Sequence, residues 1–460
     1  MKPYGSYSFW LETCGDDLTP RPALEGPIEA DVAILGAGYT GLWTAYYLLQ
    51  RRPGLRVVVL EQEIAGFGAS GRNGGWCSGK LHLGIDNLIA RFGVDAARRV
   101  QETLFDTVDE IGRVCAAEGI DAHYVKSGAL FVARFPYQVP EMREYASLFG
   151  RIGFAERVKV LDADELERRV RVRGALGAYW SPDYASLHPG RLVRGLARAV
   201  ERLGGRLFER TPAIDIVPGP PAVSHTPAGD VRAGAVVLAG EAYLCQLPRR
   251  RRTLLPIYSL IVLTEPLSER QWDGIGWRLR ECLCSFRLTV DYLTRTTDGR
   301  ILFGGRGAPY HFASGIADAY DHDAPTHALL RAMTREWFPG LEDVRFSHAW
   351  GGPIAVPRDW TPAFTWDPRS GVASASGYTG SGVAGSNLAG RTLADLITGA
   401  DSPLTHLPFV NHRSPLWEPE PLRWLAVRYI QKAYARLDER GERTGRAPDG
   451  TSLAERFAGH

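Results

Sequence analysis

A glycine-rich turn near the N-terminus is the feature that most constrains this chain. It has the spacing GxGxxG, formed by Gly36, Gly38 and Gly41. The turn follows the short apolar run 31–35 and precedes the helical pattern of 39–50. The first glycine allows a sharp bend, the second a close approach to a pyrophosphate, and the third close packing of helix and strand. The sequence therefore predicts a strand–helix–strand unit whose helix N-terminus, at Tyr39 and Thr40, binds the phosphates of a dinucleotide.

An acidic residue ends the second strand of this unit. The predicted buried strand 56–61 ends in Glu61, which stands 20 residues after Gly41 and is followed by Gln62. A carboxylate at this position accepts hydrogen bonds from ribose hydroxyls and repels a 2′-phosphate. The strand, the helix and the acid together predict a dinucleotide site more strongly than the glycines alone. The alternative is a glycine turn that binds nothing.

The segment 66–76 comes next and is rich in glycine. We expect its backbone to press against a flat ligand, which favours FAD over NAD. Ser70 and Arg72 are placed to serve the phosphates or the ring. The alternative is a flexible surface loop. The residues expected to contact the cofactor here are Ala69, Ser70, Gly71, Arg72, Asn73, Gly74 and Gly75.

Buried-strand patterns recur far apart along the chain. The runs 234–240 and 372–376 resemble parallel strands, and Ala239 and Gly240 are expected at the cofactor. From 255 to 346 the pattern indicates an antiparallel sheet. We predict an α/β FAD-binding Rossmann-like domain with an inserted, mostly antiparallel α+β substrate domain. The expected boundaries are 1–84, 150–250 and 347–415 for the FAD domain, 85–149 and 251–346 for the substrate domain, 416–440 for a C-terminal helix and 441–460 for a disordered tail.

Composition argues against several other classes of protein. The net charge is only +2, and the arginines are interspersed with acids, so no nucleic-acid partner is expected. No uncharged stretch approaches the roughly 20 apolar residues of a membrane span. The six cysteines form no CxxC or zinc spacing, which fits reduced thiols in a cytoplasmic protein without a metal site. The expected partner is a small-molecule substrate, and oligomerisation is left open.

Four motifs carry a family resemblance. They are ASGRNGG at 69–75, LHPGRL at 187–192, DGRILFGGR at 298–306 and GYTGSGV at 377–383. Over most of residues 8–410 the chain resembles the family of FAD-dependent amine and amino-acid oxidases that includes D-amino acid oxidase, glycine oxidase, sarcosine oxidase and γ-glutamylputrescine oxidase. The first motif is most similar to the γ-glutamylputrescine oxidase branch.

The resemblance implies further cofactor contacts. Ala213 stands where the family's main chain meets the adenine. The last motif implies a loop and helix start beneath the pyrimidine edge of the flavin, formed by Gly377, Gly380, Ser381, Gly382 and Val383. Backbone N–H groups at a helix N-terminus would stabilise the negative charge left near N1 and the C2 carbonyl by hydride transfer. Ser381 could instead serve as the helix N-cap.

Two departures from the family pattern concern the flavin and the substrate. Some relatives attach flavin through a cysteine before the last motif, but 350–368 contains none, so noncovalent FAD is expected and Cys77 is interpreted as an ordinary small side chain. Amino-acid-oxidising relatives carry an arginine four residues after the tryptophan of this stretch, where this chain has Ile354. The expected substrate is therefore an amine, or an amine with a distant polar group. In those relatives the arginine binds the substrate carboxylate, and three other arginines of this chain could take its place, namely Arg287, Arg295 and Arg306.

The resemblance implies an oxidase that takes hydride from the carbon beside a neutral amine, leaves an imine and reduces O₂ to H₂O₂. Tyr292, Trp350 and Ser381 are the candidate catalytic residues, although Tyr292 and Trp350 could simply be core. Lys80 is close in sequence to the flavin-binding stretch and is expected to be solvated. Two alternatives stay open: an amino-acid oxidase or dehydrogenase with a non-oxygen acceptor, and a non-catalytic or relay flavin subunit of a larger complex.

Overall fold

The structure is a computed structural model that describes residues 2–305 and 310–447. The helices of these residues are α1 (Phe9–Glu12), α2 (Tyr39–Arg51), α3 (Ile85–Phe92), α4 (Val94–Ala117), α5 (Gln138–Arg151), α6 (Ala163–Glu167), α7 (Pro189–Arg202), α8 (Glu269–Ile275), α9 (Ala324–Trp337), α10 (Gly382–Thr398) and α11 (Leu422–Thr444). The strands are β1 (Ile28–Leu35), β2 (Val57–Leu60), β3 (Trp76–Ser78), β4 (Ala129–Ala133), β5 (Lys159–Leu161), β6 (Gly177–Ser181), β7 (Tyr184–Ser186), β8 (Arg206–Phe208), β9 (Asp215–Val217), β10 (Ala222–Thr226), β11 (Gly229–Leu238), β12 (Leu255–Thr264), β13 (Cys282–Ser285), β14 (Asp291–Arg295), β15 (Ile301–Gly305), β16 (Phe346–Val356), β17 (Ala363–Asp367) and β18 (Val372–Ser376).

The first sheet has the glycine-turn unit at its centre. Its order is β17-β18-β11-β1-β2-β8, and β1 pairs in parallel with both β2 and β11. Strand β10 joins it by antiparallel pairing to β11, and β9 pairs antiparallel with β10. Helix α2 is buried from Tyr39 to Leu49, because it lies between this sheet and the neighbouring helices α7 and α10. The parallel centre of the sheet confirms the expected Rossmann-like domain.

The second sheet has the order β16-β12-β15-β14-β13-β4-β6-β5. Its pairs are antiparallel except for β13 and β4, which run parallel. Leu330, Met333 and Trp337 of α9 pack into the apolar cluster on one side of this sheet. The mostly antiparallel α+β layer confirms the second part of the predicted fold class.

Sheet membership differs from the expected boundaries in two places. Strands β5 and β6 fall within 150–250, and most of β16 falls within 347–415, yet all three belong to the second sheet. A strand's own pattern predicts that it will pair, but long-range packing decides with which partner. The segments expected to bind the cofactor therefore also contribute strands to the substrate layer.

The C-terminal helix also differs from its expected limits. Helix α11 begins at Leu422 and ends at Thr444, and Gly441 is buried within it. The expected disordered tail is therefore wrong for 441–444, while 448–460 lie outside the described residues. Within the described ranges no helix combines the length and the apolar character needed to cross a bilayer.

Candidate active site

A cavity of about 570 Å³ lies between the carboxyl ends of the first sheet's parallel strands and the second sheet. Of the residues that the sequence singled out for the site, its wall contains Gly36, Gly38, Tyr39, Thr40, Glu61, Gln62, Ala69, Ser70, Arg72, Asn73, Gly74, Ala213, Ala239, Gly240, Tyr292, Gly380, Ser381, Gly382 and Val383. The wall does not include Gly41, Gly71, Gly75, Gly377 or Trp350. The structure thus brings the beginning, the middle and the end of the chain to one cavity.

The N-terminus of α2 faces this cavity. A Cβ at Gly41 would come within 2.0 Å of the Gly36 carbonyl oxygen, so only glycine permits this crossing of turn and helix. The Ser70 hydroxyl accepts a hydrogen bond from the Tyr39 N–H at 2.8 Å. The hydroxyls of Thr40 and Tyr378 are 2.8 Å apart, which joins the first glycine turn to the last motif. Such a helix end, with a glycine N-cap and no side-chain cap, is suited to a pyrophosphate.

Glu61 directly follows the last residue of β2, as the motif predicts. Its carboxylate accepts the N–H of Ala37 at 2.7 Å and that of Glu63 at 3.0 Å, which fixes its orientation in the cavity wall. Burial raises the pKa of Glu61 to about 7, against the opposing effect of these two hydrogen bonds. Ala213 lies further along the same wall. Glu61 and Ala213 thus line the same cavity, as expected for residues that meet two parts of one dinucleotide.

The loop 69–75 is held by its own hydrogen bonds. The Asn73 amide donates to the carbonyls of Ala69 and Ser70, and its oxygen accepts the N–H of Gly75 at 2.9 Å. The Trp10 indole donates to the Asn73 carbonyl at 2.7 Å. The loop is therefore ordered by internal bonds and by the N-terminal segment, which argues against the flexible-surface alternative.

Arg72 lies in the wall, but its charge is already paired. Its guanidinium forms a buried ion pair with Asp321 and lies over the Phe67 ring, 4.3 Å from the centroid. Burial raises the pKa of Asp321 to about 6, although the Arg72 charge acts in the opposite direction. The pair links the cofactor loop to the segment before α9, and it gives Arg72 a carboxylate partner within the protein, in place of the phosphate that the sequence predicted.

The two aromatic candidates differ in position. Tyr292 lines the cavity, its ring fills the space over Gly74, where a Cβ would be 2.3 Å from the ring, and its hydroxyl is 2.9 Å from the Ser259 hydroxyl. Trp350 instead belongs to the core. It is 1% exposed, packs beside Trp10, and donates its indole N–H to the Arg72 carbonyl at 2.8 Å. Trp350 therefore does not line the cavity, and the candidate catalytic role is corrected to the alternative, a core side chain that supports the loop carrying Arg72.

The last motif forms the start of α10. Ser381 occupies the N-cap position, yet its side chain makes no capping hydrogen bond, so the proposed capping role is not observed. Ser381, Gly382 and Val383 line the cavity. Thr379, which has a positive φ of 52°, is in the turn that precedes these three residues.

Glu241 is a site residue that the sequence analysis missed. It lines the cavity and its carboxylate accepts the N–H groups of Gly377 at 3.1 Å and Tyr378 at 3.4 Å. Burial raises its pKa to about 8. The available signal was an acid directly after Gly240, at the end of a buried strand.

No replacement for the missing arginine clamp is found among the described residues. Arg287 lies 3.1 Å from Glu442 of α11, and Arg295 lies over the Trp272 ring, so neither lines the cavity. Arg306 lies outside the described residues. Ile354 forms part of the wall. The residues from 2 to 305 and from 310 to 447 contain no cluster of three side chains suited to a metal ion.

Two smaller expectations concern Cys77 and Lys80. Cys77 is a fully buried free thiol outside the cavity wall, in agreement with its interpretation as an ordinary small side chain. Lys80 was expected to be solvated, but it lines the cavity and its ammonium lies 4.7 Å from the centroid of the Phe131 ring. The solvated interpretation of Lys80 is therefore wrong, because strand β4 brings an aromatic side chain against it.

Comparison with known proteins adds a family match to this geometry. The family model described as FAD dependent oxidoreductase matches residues 31–396. The chain is 32% identical over 418 residues to gamma-glutamylputrescine oxidoreductase of Escherichia coli (strain K12), covering 88% of this chain and 94% of that protein. It is 24% identical over 390 residues to glycine oxidase of Geobacillus kaustophilus, covering 82% of this chain and 96% of the relative.

The solved structures show the same fold. The crystal structure of glycine oxidase from Geobacillus kaustophilus has a TM-score of 0.71 at 21% identity and covers 84% of this chain and 99% of its own. That of L-proline dehydrogenase from P. horikoshii has a TM-score of 0.67 at 20% identity, covering 83% and 96%. Both likenesses cover more than four fifths of this chain, and at these identities they concern the fold alone.

Proposed function

The chain belongs to the FAD-dependent oxidoreductase family, and we propose that it oxidises the C–N bond of a primary or secondary amine to an imine, with O₂ as the electron acceptor. The proposal that the substrate is an amine rests on one observation about the cavity wall. Among the described residues of the cavity wall, Arg72 is the only arginine, and it is paired with Asp321. With Ile354 in the wall, the site offers no guanidinium fork to hold an α-carboxylate.

We propose that FAD occupies this cavity, which is supported by the glycine turn and Glu61 in its wall and by the family match. We assign the adenine to Ala213, the ribose to Glu61, the pyrophosphate to the N-terminus of α2, and the flavin ring to 69–74 and 380–383. The attachment is proposed to be noncovalent, supported by the absence of cysteine from 350–368. Acid precipitation of the holoprotein tests this, because a noncovalent flavin stays in the supernatant and a covalent one sediments with the chain.

When bound, FAD supplies the two-electron acceptor for hydride from the carbon beside the amine nitrogen and passes both electrons to O₂, giving H₂O₂. The protein's own part is to position the amine and exclude water. The Tyr292 ring forms one wall, and we propose that its hydroxyl, which lies 2.9 Å from that of Ser259, contributes to orienting a neutral amine. Ile261 and Ile354 give the same end an apolar surface. The partial positive charge at the N-terminus of α10 favours negative charge that develops near it.

The proposed function is tested by anaerobic mixing with a panel of amines, glycine and D-amino acids while the absorbance of oxidised flavin is followed. We expect amines to bleach the flavin fastest. Faster reduction by glycine or by a D-amino acid would contradict the amine assignment. Admission of air then tests the acceptor: rapid recovery of the absorbance with formation of H₂O₂ supports O₂, and slow recovery would contradict it.

A further inference from the structure

Lys80 brings a positive charge into the part of the cavity remote from the adenine end. It follows the short strand β3 and shares this wall with Phe131, Cys284 and Asp291. Its ammonium lies 4.7 Å from the centroid of the Phe131 ring and 5.7 Å from that of Tyr145. Contacts of this kind stabilise an ammonium and fix its position without neutralising its charge.

The negative groups nearby do not neutralise this charge. None of the ion pairs within residues 2–305 and 310–447 includes Lys80. The Asp291 carboxylate accepts both the N–H and the hydroxyl of Ser285 at 2.7 Å, and burial raises its pKa. Burial also raises the pKa of the Cys284 thiol, which disfavours a thiolate. An unpaired cation in a partly enclosed, largely apolar cavity attracts an anion more strongly than the same cation in water.

We propose that Lys80 binds a carboxylate at the far end of an extended amine substrate. This inference rests on the proposed function and narrows its substrate class to amines whose carboxylate is several bonds from the oxidised carbon. Near Ile354 the cation of the described wall is Arg72, which is already paired with Asp321, whereas the ammonium of Lys80 has no ion-pair partner among the described residues. A single ammonium suits a carboxylate, while planar bidentate recognition is the property of arginine. A diamine would place a second positive charge against Lys80 and is disfavoured.

The test uses the FAD-loaded protein and three variants. Lys80→Met keeps the length of the side chain and removes the charge, and Lys80→Arg restores the charge. Lys159→Met is the matched control, because Lys159 of β5 also lies beside an aromatic ring, that of Trp180 of β6, but is exposed and lies outside the cavity wall. The probes are straight-chain ω-amino acids, n-alkylamines of equal length, and straight-chain carboxylates such as valerate that cannot be oxidised.

Two readouts are measured for each protein. One is the dissociation constant of each probe from the perturbation of flavin absorbance, and the other is the rate of flavin reduction. We expect the wild type and Lys159→Met to bind the best ω-amino acid at least tenfold more tightly than the equal-length alkylamine. Lys80→Met should lose at least tenfold in affinity for that ω-amino acid and for valerate, but not for the alkylamine, and Lys80→Arg should recover part of the loss.

The outcomes separate the two proposals. Equal affinity of the wild type and Lys80→Met for all carboxylates would overturn the carboxylate subsite. So would a Lys80→Met variant in which reoxidation of the flavin by O₂ is slower while carboxylate affinity is unchanged. Preference of the wild type for diamines would overturn it too. If no amine reduces the flavin but carboxylates still bind in a Lys80-dependent way, the proposed function fails and the subsite stands.

Discussion

Replacing Asp438 with asparagine should release a loop at the edge of the substrate cavity. Asp438 lies in α11 and is buried. One of its carboxylate oxygens accepts the N–H of Leu288 at 2.9 Å, and the other accepts the N–H and the hydroxyl of Thr289 at 3.0 and 2.6 Å. The chain continues directly into Val290, which has a φ of 53° and lines the cavity. Helix α11 therefore holds the loop that positions part of the cavity wall.

The expected magnitude follows from these bonds. Asparagine retains one oxygen, so its NH₂ group must face at least one N–H that the carboxylate now accepts. A hydrogen bond to a charged group contributes about 1.5–3 kcal/mol, and a buried donor left without an acceptor costs a comparable amount. We expect local opening of the loop to become easier by about 2 kcal/mol, which corresponds to an increase of about thirtyfold in the open population.

Amide hydrogen exchange measures this opening directly. The amides of Leu288 and Thr289 should lose about thirtyfold of their protection in Asp438→Asn. Amides of the distant strand β2 should be unchanged. Glu439→Gln is the control, since Glu439 is the exposed neighbour in the same helix. Exchange at Leu288 and Thr289 within a factor of three of the wild type would refute the assignment of Asp438 as the residue that holds this loop.

Three further predictions concern the cavity itself. Gly74→Ala should displace the Tyr292 ring, because the added Cβ would lie 2.3 Å from it, and the rate of substrate-dependent flavin reduction should fall at least tenfold. Gly26→Ala is the control and should leave this rate unchanged, since a Cβ at Gly26 has no neighbour within 4 Å. Equal rates for the two variants would contradict the contact between residue 74 and Tyr292. Tyr292→Phe removes the hydroxyl that is bonded to Ser259, so KM for the best amine should rise by about two- to tenfold with little change in melting temperature. An unchanged KM would show that this hydroxyl does not take part in substrate binding. Burial raises the pKa of Glu241 to about 8, so the unfolded chain releases this proton at a lower pH than the folded apoprotein does, and stability should fall as the pH rises from about 5 to 8. The melting temperature of Glu241→Gln should lack that part of the decline. Parallel pH profiles of the wild-type and variant melting temperatures would show that Glu241 is not responsible.

The cofactor end of the cavity could be predicted because its signals are local. Gly36, Gly41 and Glu61 belong to one short strand–helix–strand unit, in which residue spacing alone fixes the geometry. The last motif follows the same logic, since the loop 377–381 leads directly into α10. The relative positions of the residues within such a unit do not depend on distant segments, so they can be predicted from the local sequence.

The substrate end depends on contacts between distant segments. Trp350 shares a strand with Gly352 and Ile354, but the N-terminal residues Phe9 and Trp10 pack against it and exclude it from the cavity. Arg72 finds its partner Asp321 at a separation of 249 residues. Neither neighbour is visible in a local pattern, and for the same reason the pairing of β5 and β6 with the second sheet could not be predicted.

The position of β1 at the centre of its sheet has a consequence for folding during synthesis. Strand β1 emerges first from the ribosome, but its partner β11 follows about 200 residues later, and β18 later still. The cavity is complete only after α10 has begun. Strand β2 can pair with one edge of β1 early, but the other edge of this apolar strand stays unpaired until β11 has been made, near the middle of the chain. Nascent chains that end before residue 372 should not retain FAD, however well the glycine turn is formed.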